Sequence, residues 1–564
     1  MPPSNAPYDY IVVGAGTAGC VLANRLSADG RYRVLLLEAG GGDSHPLVRM
    51  PVGFLKALQR RALTWGYESE PEAQLGGRKL PVPRGRLLGG SSSINGMFHI
   101  RGHRLDFDEW RDLGCTGWGY DEVLPYFIRS ESNWRGEGPY HGGDGPLQIN
   151  AITGEHLMHD PLREAAVRAG HAVTDDYDGE HHWGAARGDV AIDRHGRRSS
   201  SARAYLRPVQ GRANLTVVTH AQATRVLMEG GRAVGIEYTR KGRTLQARAQ
   251  REVILSGGAY NSPQLLMLSG IGPAAELAAH GIPQVADLPG VGGNLMEHPR
   301  MMLMYRASQP VTFMNQLRLD RATLSVLRWA FQGKGPFATQ VCSASIMLRT
   351  DPALTRPDIQ LLCNPVRFDA HLWFPGIVQP KEHSFYITVC LLHAKSRGRV
   401  TLRSADPKAA PRIALDLFSD PQDVQTLRAG LRAAREIYRM APQSEMIDTE
   451  TIPGAHVTSD ADIDRSIHEL GGITHHPVGT CAMGTGPNAV VDPQLRVHGV
   501  QGLRVVDASV MPTIPGANTN AATVMIAEKA SDMILGLPPL PARSADARTP
   551  PGATTRACAE SLTA

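Results

Sequence analysis

Apolar positions at the start of the chain follow two different periods. YDYIVV (8–13) is almost continuously apolar, TAGCVLANRL (17–26) has helical spacing, and VLLLEAG (34–40) is a second apolar run. Together they predict a βαβ unit of about 30 residues. A loop-rich region follows, centred on PVPRGRLLGGSSSINGM (81–97). ANLTVVTHAQATRVLMEGGRAVGIEYTR (213–240) reads as strands joined by an EGGR turn. REVILSGGAYNSPQLLMLSGIG (251–272) reads as a buried strand, a turn and a helix. Ser262 is its expected cap, Pro263 its first residue and Gly270 its end. PDIQLLCNPV (357–366), HSFYITVCLLHA (383–394) and RGRVTLRS (397–404) read as strands, and DPQDVQTLRAGLRAAREIYRMA (420–441) as an amphipathic helix.

This texture predicts an α/β protein with a Rossmann-like dinucleotide-binding domain and a discontinuous α+β domain on an antiparallel sheet. The expected segments are 1–155 and 213–300 for the dinucleotide domain, 156–212 for a substrate-domain excursion and linker, and 301–455 for a substrate domain. Residues 456–537 then return to the first domain. The Pro-, Ala-, Ser-, Thr- and Arg-rich tail 538–564 is expected to be disordered.

A length of 564 residues with 42% hydrophobic and 20% charged residues suits a globular protein of more than one domain. A net charge of +5 at this size gives no reason to invoke nucleic acid, and the basic RWAFQGKG (328–335) reads as a solvated helix end. No apolar run approaches the roughly 18–20 residues needed to span a bilayer, and the start lacks a secretory signal pattern. A cytoplasmic location is expected, with peripheral attachment to the inner face of a membrane left open. Seven scattered cysteines without a CxxC argue against a disulfide frame or a metal site.

Gly14, Gly16 and Gly19 form a G-x-G-x-x-G turn, with Thr17 and Ala18 inside it, between the first strand and its helix. Such a turn brings backbone and a helix N-terminus to a pyrophosphate. Glu38 ends the second strand, 19 residues after Gly19, where a carboxylate can accept from a ribose hydroxyl. A glycine turn without a ligand is the bland alternative, which the strand, helix and acid together disfavour. The motif does not separate NAD from FAD. The glycine–serine loop GRLLGGSSSINGM (85–97) can pass close to a large planar cofactor, or can be a surface turn.

At these residues the sequence resembles the glucose–methanol–choline (GMC) family of FAD oxidoreductases. The likeness runs from about Tyr8 to Leu537 through GAGTAG, GRLLGGSSSINGMFHIRGHRLDFDEW, GAYNSPQLLMLSGIG, GVGGNLMEHP, HHPVGTCAMG and LRVVDASVMPTIPGANTNAATVMIAEKA. It is nearest in character to the bacterial alcohol dehydrogenase and choline dehydrogenase branch. The resemblance implies FAD held by Gly14–Gly19 and Glu38, with Trp65 and Ala223 on the adenine side. It implies Ser91, Asn95, Gly96 and Met97 beside the pyrophosphate and isoalloxazine, and Asp507 and Ala508 near the ribityl chain. Where some choline oxidases tether the flavin through a histidine, this chain has Ile94, so non-covalent FAD is expected.

The family's catalytic histidine precedes the proline of HPxGT, which is His476 here. A histidine can take the alcohol proton because its ordinary pKa is near 6.5. His475 is expected to face away from the flavin, as neighbours on an extended segment do, toward cofactor backbone or the pocket rim, and Thr474 and His475 are the candidate substrate contacts. Asn520, 44 residues after His476, is the expected partner that holds the alcohol oxygen, with Asn518 read as a helix-entry or cofactor residue. The implied reaction is oxidation of an alcohol, of the primary CH–OH type, to an aldehyde or ketone. The electrons go to a quinone, a cytochrome or oxygen. A hydroxynitrile-lyase-like enzyme with structural FAD and a nicotinamide dehydrogenase are the competing readings. Phe368, Trp373 and Phe374 suggest a partly apolar pocket or lid, and no acidic pair marks a quaternary ammonium site.

Overall fold

The computed structural model describes residues 7–543. β1 (Tyr8–Val13), α1 (Thr17–Leu26) and β2 (Val34–Leu37) make the expected βαβ opening. After a stretch of loops and short helices come β3 (Gly184–Ala186), β4 (Leu215–Val218), β5 (Ala221–Glu229), β6 (Arg232–Arg240), β7 (Arg243–Leu255) and α2 (Gly258–Leu268). Next are β8 (Pro299–Ala307), α3 (Leu319–Gln332), β9 (Ala344–Leu348), β10 (Ile359–Asn364), β11 (Ser384–Leu391) and α4 (Pro421–Arg439). β12 (Ile447–Ile452), β13 (Gly472–Ile473), β14 (Leu503–Val505) and α5 (Asn520–Leu535) complete the set.

The first sheet runs β4-β2-β1-β7-β6-β5, with β14 added on β7. β7 is long enough to serve two neighbours: its first half pairs antiparallel with β6 and its second half parallel with β1. Ile11, Val12, Leu35 and Leu36 are fully buried at its centre, and each such side chain contributes about 1.5–3 kcal/mol. The second sheet is antiparallel, β12-β8-β11-β10-β9-β3, with β13 paired to β8. Its strand β3 comes from 156–212, the expected substrate-domain excursion, whereas β13 comes from 456–537, the segment expected to return to the first domain. RGRVTLRS supplies no strand to either sheet; Arg399–Thr401 pairs with Arg412–Ala414 in a separate ladder.

Two local expectations change. α2 begins at Gly258 and carries Pro263 inside it, so Ser262 is not its cap. A proline there removes the N–H that Ala259 O would accept, and Thr480 Oγ donates to that carbonyl instead, at 2.6 Å. The expected disorder of the tail does not reach its first residues, because Leu540 N donates to Tyr126 Oη and Arg543 N to Asp121 O. Residues 544–564 of that expectation lie outside the described residues.

α1 and α5 pack together and are joined by buried charge. Glu528, fully buried, accepts from Arg25 Nη2 at 2.7 Å and from Tyr205 Oη at 2.8 Å. Removing one member of such a group leaves a buried charge unmatched, which makes the crossing of the two helices specific. Their N-termini converge on one cavity.

Candidate active site

The cavity measures about 720 Å³ and runs between the two sheets' residues, from Glu38 and Ala223 to His476 and Asn518. Gly14, Gly16, Thr17 and Ala18 border it; Gly19 does not, and instead packs behind the turn. A Cβ on Gly19 would lie 1.8 Å from Gly14 O, and one on Gly90 would lie 2.7 Å from Gly16 Cα. The turn and the glycine–serine loop therefore meet backbone to backbone, leaving the N-terminus of α1, whose N-cap Gly16 makes no side-chain cap, directed at the cavity. Glu38 takes Ala15 N at 3.0 Å and Gly40 N at 2.8 Å, and its burial raises its pKa to about 7.

Trp65 borders the cavity, stacked on Tyr67 at 5.6 Å with the Arg86 guanidinium over it. Asp507 is held by Gly258 N, Ser262 Oγ and Ser509 N, and Ala508 follows it along the wall. Ser91, Asn95, Gly96 and Met97 border the same space. Ser91 Oγ accepts from Gly85 N, and Asn95 Oδ1 from Met97 N at 3.1 Å, with Met97 at φ +63°. Buried Arg198 donates to Ser92 O, Asn95 O and Asn95 Oδ1, and so fixes the loop.

At the other end, His476 Nε2 lies 3.2 Å from Asn518 Nδ2, and its Nδ1 lies 3.1 Å from Thr474 Oγ and 3.0 Å from His298 Nδ1. The network assigns the tautomer. Thr474 spends its hydroxyl proton on His298 O, so its oxygen can only accept from His476. Asn518 Oδ1 accepts from Gln360 Nε2 at 3.5 Å, which turns its amide N–H toward His476. His476 is therefore protonated on Nδ1, and its Nε2 lone pair, at the cavity wall, accepts from Asn518 Nδ2. Desolvation, then His298, His475 and Arg84, holds its pKa well below the ordinary value.

Asn520, the expected partner, borders the same cavity, but its side-chain hydrogen bond goes elsewhere. It begins α5 and accepts from Thr17 Oγ at 2.9 Å, at the α1 end of the cavity. Nor is Asn518 the cap of α5, a position that Thr519 takes. The backbone at His475 is not the extended one the alternation assumed, with φ +67°, and both histidines border the cavity. Arg84 Nη2 holds the His475 carbonyl at 2.9 Å.

Comparison with known proteins gives this geometry a family. GMC oxidoreductase models match residues 8–300 and 394–527. The chain is a GMC oxidoreductase. It is 43% identical over 535 residues to the oxygen-dependent choline dehydrogenase of Brucella ovis, covering 94% of this chain and 96% of that one. It is 43% identical over 544 residues to the oxygen-dependent choline dehydrogenase of Pseudomonas putida, with 95% and 96% covered. The crystal structure of pyridoxine 4-oxidase from Mesorbium loti superposes with a TM-score of 0.82 at 32% identity, covering 93% of this chain and 98% of that one.

As a GMC oxidoreductase the chain binds FAD, and its residues fit that group. The bare α1 terminus and the interlocked glycine turns leave room for a pyrophosphate against backbone N–H groups. Two residues of this enzyme's site, Glu297 and His298, lie in GVGGNLMEHP, where the local sequence gives them no role. Glu297 Oε1 accepts His476 N at 2.5 Å and His298 N at 3.0 Å, and burial raises its pKa to about 7 against the opposing pull of Arg84. The only signal was the position of EHP inside a family motif. Its use is a contact across 179 positions of chain.

Proposed function

We propose that this GMC oxidoreductase oxidises an alcohol CH–OH group, with His476 as the base. The observation that carries the reading is the pairing of His476 Nε2 with the Asn518 amide at the cavity wall, an acceptor and a donor between which an alcohol hydroxyl can insert. FAD, when bound, supplies the two-electron acceptor. The alcohol oxygen is held by Asn518 Nδ2, and its proton moves to His476 Nε2. Thr474 and His298 stabilise the resulting imidazolium by holding Nδ1–H, and Glu297 fixes the histidine backbone. Thr17, Asn520 and Asp507 order the cofactor end of the cavity rather than the reacting oxygen.

Anaerobic mixing with a panel of alcohols tests this: the flavin absorbance bleaches with a substrate. A lyase with structural FAD would stay yellow. Acid precipitation of the same preparation is expected to release the flavin to the supernatant, since Ile94 and not a histidine precedes Asn95. Flavin pelleting with the protein would refute non-covalent binding.

The re-oxidising acceptor is proposed to be a membrane quinone. α3 supports this by turning inside out. Ala322 and Ser325 face inward, while Leu319, Leu324, Leu327 and Phe331 (85%) are exposed, with exposed Arg321 and Arg328 among them. Leu319 N donates to Trp373 O, which ties this face to a segment with exposed Leu372 and Ile377 (77%). Large apolar side chains framed by cations suit the surface of an anionic bilayer. Among the described residues no helix is long and apolar enough to cross a membrane. Flotation with vesicles containing phosphatidylglycerol is expected to carry the protein up, and Leu327→Glu with Phe331→Glu to abolish this without loss of FAD. Oxygen is the second reading, favoured by the oxygen-dependent relatives. Turnover equal in oxygen and in a quinone analogue, without vesicle binding, would select it.

A further inference from the structure

The substrate end of the cavity is lined by hydrogen-bond donors that have no acceptor. Arg300 sits on β8, where it pairs with Gly472 of β13 on one side and Cys390 of β11 on the other. Its Nε donates to Ile473 O at 2.9 Å, which fixes the plane of the guanidinium. Its Nη1 is buried with no hydrogen-bond partner. Gln340, 1% exposed, borders the same cavity with its Nε2 likewise buried and unpartnered. Buried donors are almost always matched in native proteins, and an arginine whose inner edge is anchored offers its outer edge to a planar oxygen pair.

The charges around the cavity point the same way. Its carboxylates are Glu38, Glu68 and Asp507. Glu38 and Asp507 are held by backbone N–H groups at the dinucleotide end, and Glu68 lies in the hairpin opposite Pro81. The residues of the second sheet and of the β13 segment that border it contribute Arg300 and no acid. A cationic alcohol placed beside His476 would meet this guanidinium with no carboxylate bordering that end to offset it, since Glu297, which accepts from the His476 backbone, does not border the cavity.

Resting on the reading of His476 as the alcohol-oxidising base, we infer that the substrate is an alcohol carrying a carboxylate, bound by Arg300 Nη1 and Gln340 Nε2. Arg300 is then a specificity residue: it selects a hydroxy acid and rejects a quaternary ammonium alcohol such as the one named for the choline-acting relatives.

The test begins with binding, which does not depend on turnover. The FAD-loaded enzyme is titrated with butyrate, and the flavin absorbance band is followed. Butyrate is expected to perturb the band saturably, and tetramethylammonium at equal ionic strength to leave it unchanged. Arg300→Met should weaken butyrate by about 10- to 100-fold with FAD content unchanged, and Arg300→Lys should recover part of the loss. In turnover, 4-hydroxybutyrate should exceed both its methyl ester and choline in kcat/KM, and the ratio to the ester should collapse in Arg300→Met. A butyrate response without bleaching by any alcohol would leave the anion site standing and refute the oxidation reading. Choline as the best substrate, butyrate binding equally well to Arg300→Met, or loss of FAD from that variant would each overturn the assignment.

Discussion

His476→Ala lowers the rate of flavin reduction by roughly 10²–10⁴-fold, the range general-base groups contribute, while FAD stays bound. The size follows from the network. Nδ1 is committed to Thr474 and His298, so Nε2 is the one ring nitrogen left to take a proton, and the neighbouring amide of Asn518 can only donate. FAD retention is expected because the structural tie of this residue, to Glu297 Oε1, uses its backbone N–H and survives truncation. The pH profile carries the same signature. Burial lowers the His476 pKa well below its ordinary value, and the reactive form is the neutral one. Activity is therefore full above the ordinary value near 6.5 and is lost only as pH falls through the lower folded pKa. Stopped-flow reduction should be flat from pH 8 to below 6.5 in the wild type, and the alanine variant should lack the acid limb. Near-wild-type reduction by the variant would sink the assignment. His475→Ala, which leaves Nε2 of His476 in place, should have the smaller effect.

Asn518→Ala costs about 10²–10³-fold in reduction rate, the effect of removing one preorganised donor to a developing oxyanion. Asn520→Ala acts elsewhere. Its carboxamide accepts from Thr17 Oγ at the N-terminus of α1, so its loss should weaken FAD by about 1 kcal/mol and hardly change reduction once FAD is saturating. The two variants are read by stopped-flow reduction and by flavin titration of the apoprotein. A large rate loss in Asn520→Ala with none in Asn518→Ala would restore the count-based choice of Asn520 and remove the geometric one.

The dinucleotide half was legible because its constraints are local. A buried strand, a turn that tolerates no side chain at Gly19, a helix and an acid at the end of β2 all lie within 8–38, and each leaves a residue-type signature. The histidine loop was legible as a motif for the same reason. The choice between Asn518 and Asn520 was not. They stand two positions apart at the entry to α5, and where the helix begins decides which amide faces the histidine and which faces α1. The fate of His475 escaped in a similar way: the opposite-face rule assumes extended backbone, and a left-handed φ of +67° breaks it.

The family, the cofactor and the candidate histidine were thus legible in the chain alone, since each rests on neighbours in sequence. The orientation of that histidine, its partners Glu297, His298 and Asn518, and the unmatched donors of Arg300 and Gln340 were decided only by the tertiary structure. They come from β8 and the two residues before it, the segment before β9 and the entry to α5, and hydrogen bonds between groups 42 to 179 positions apart, like donors orphaned by the packing around them, are properties of the tertiary structure that no local pattern encodes.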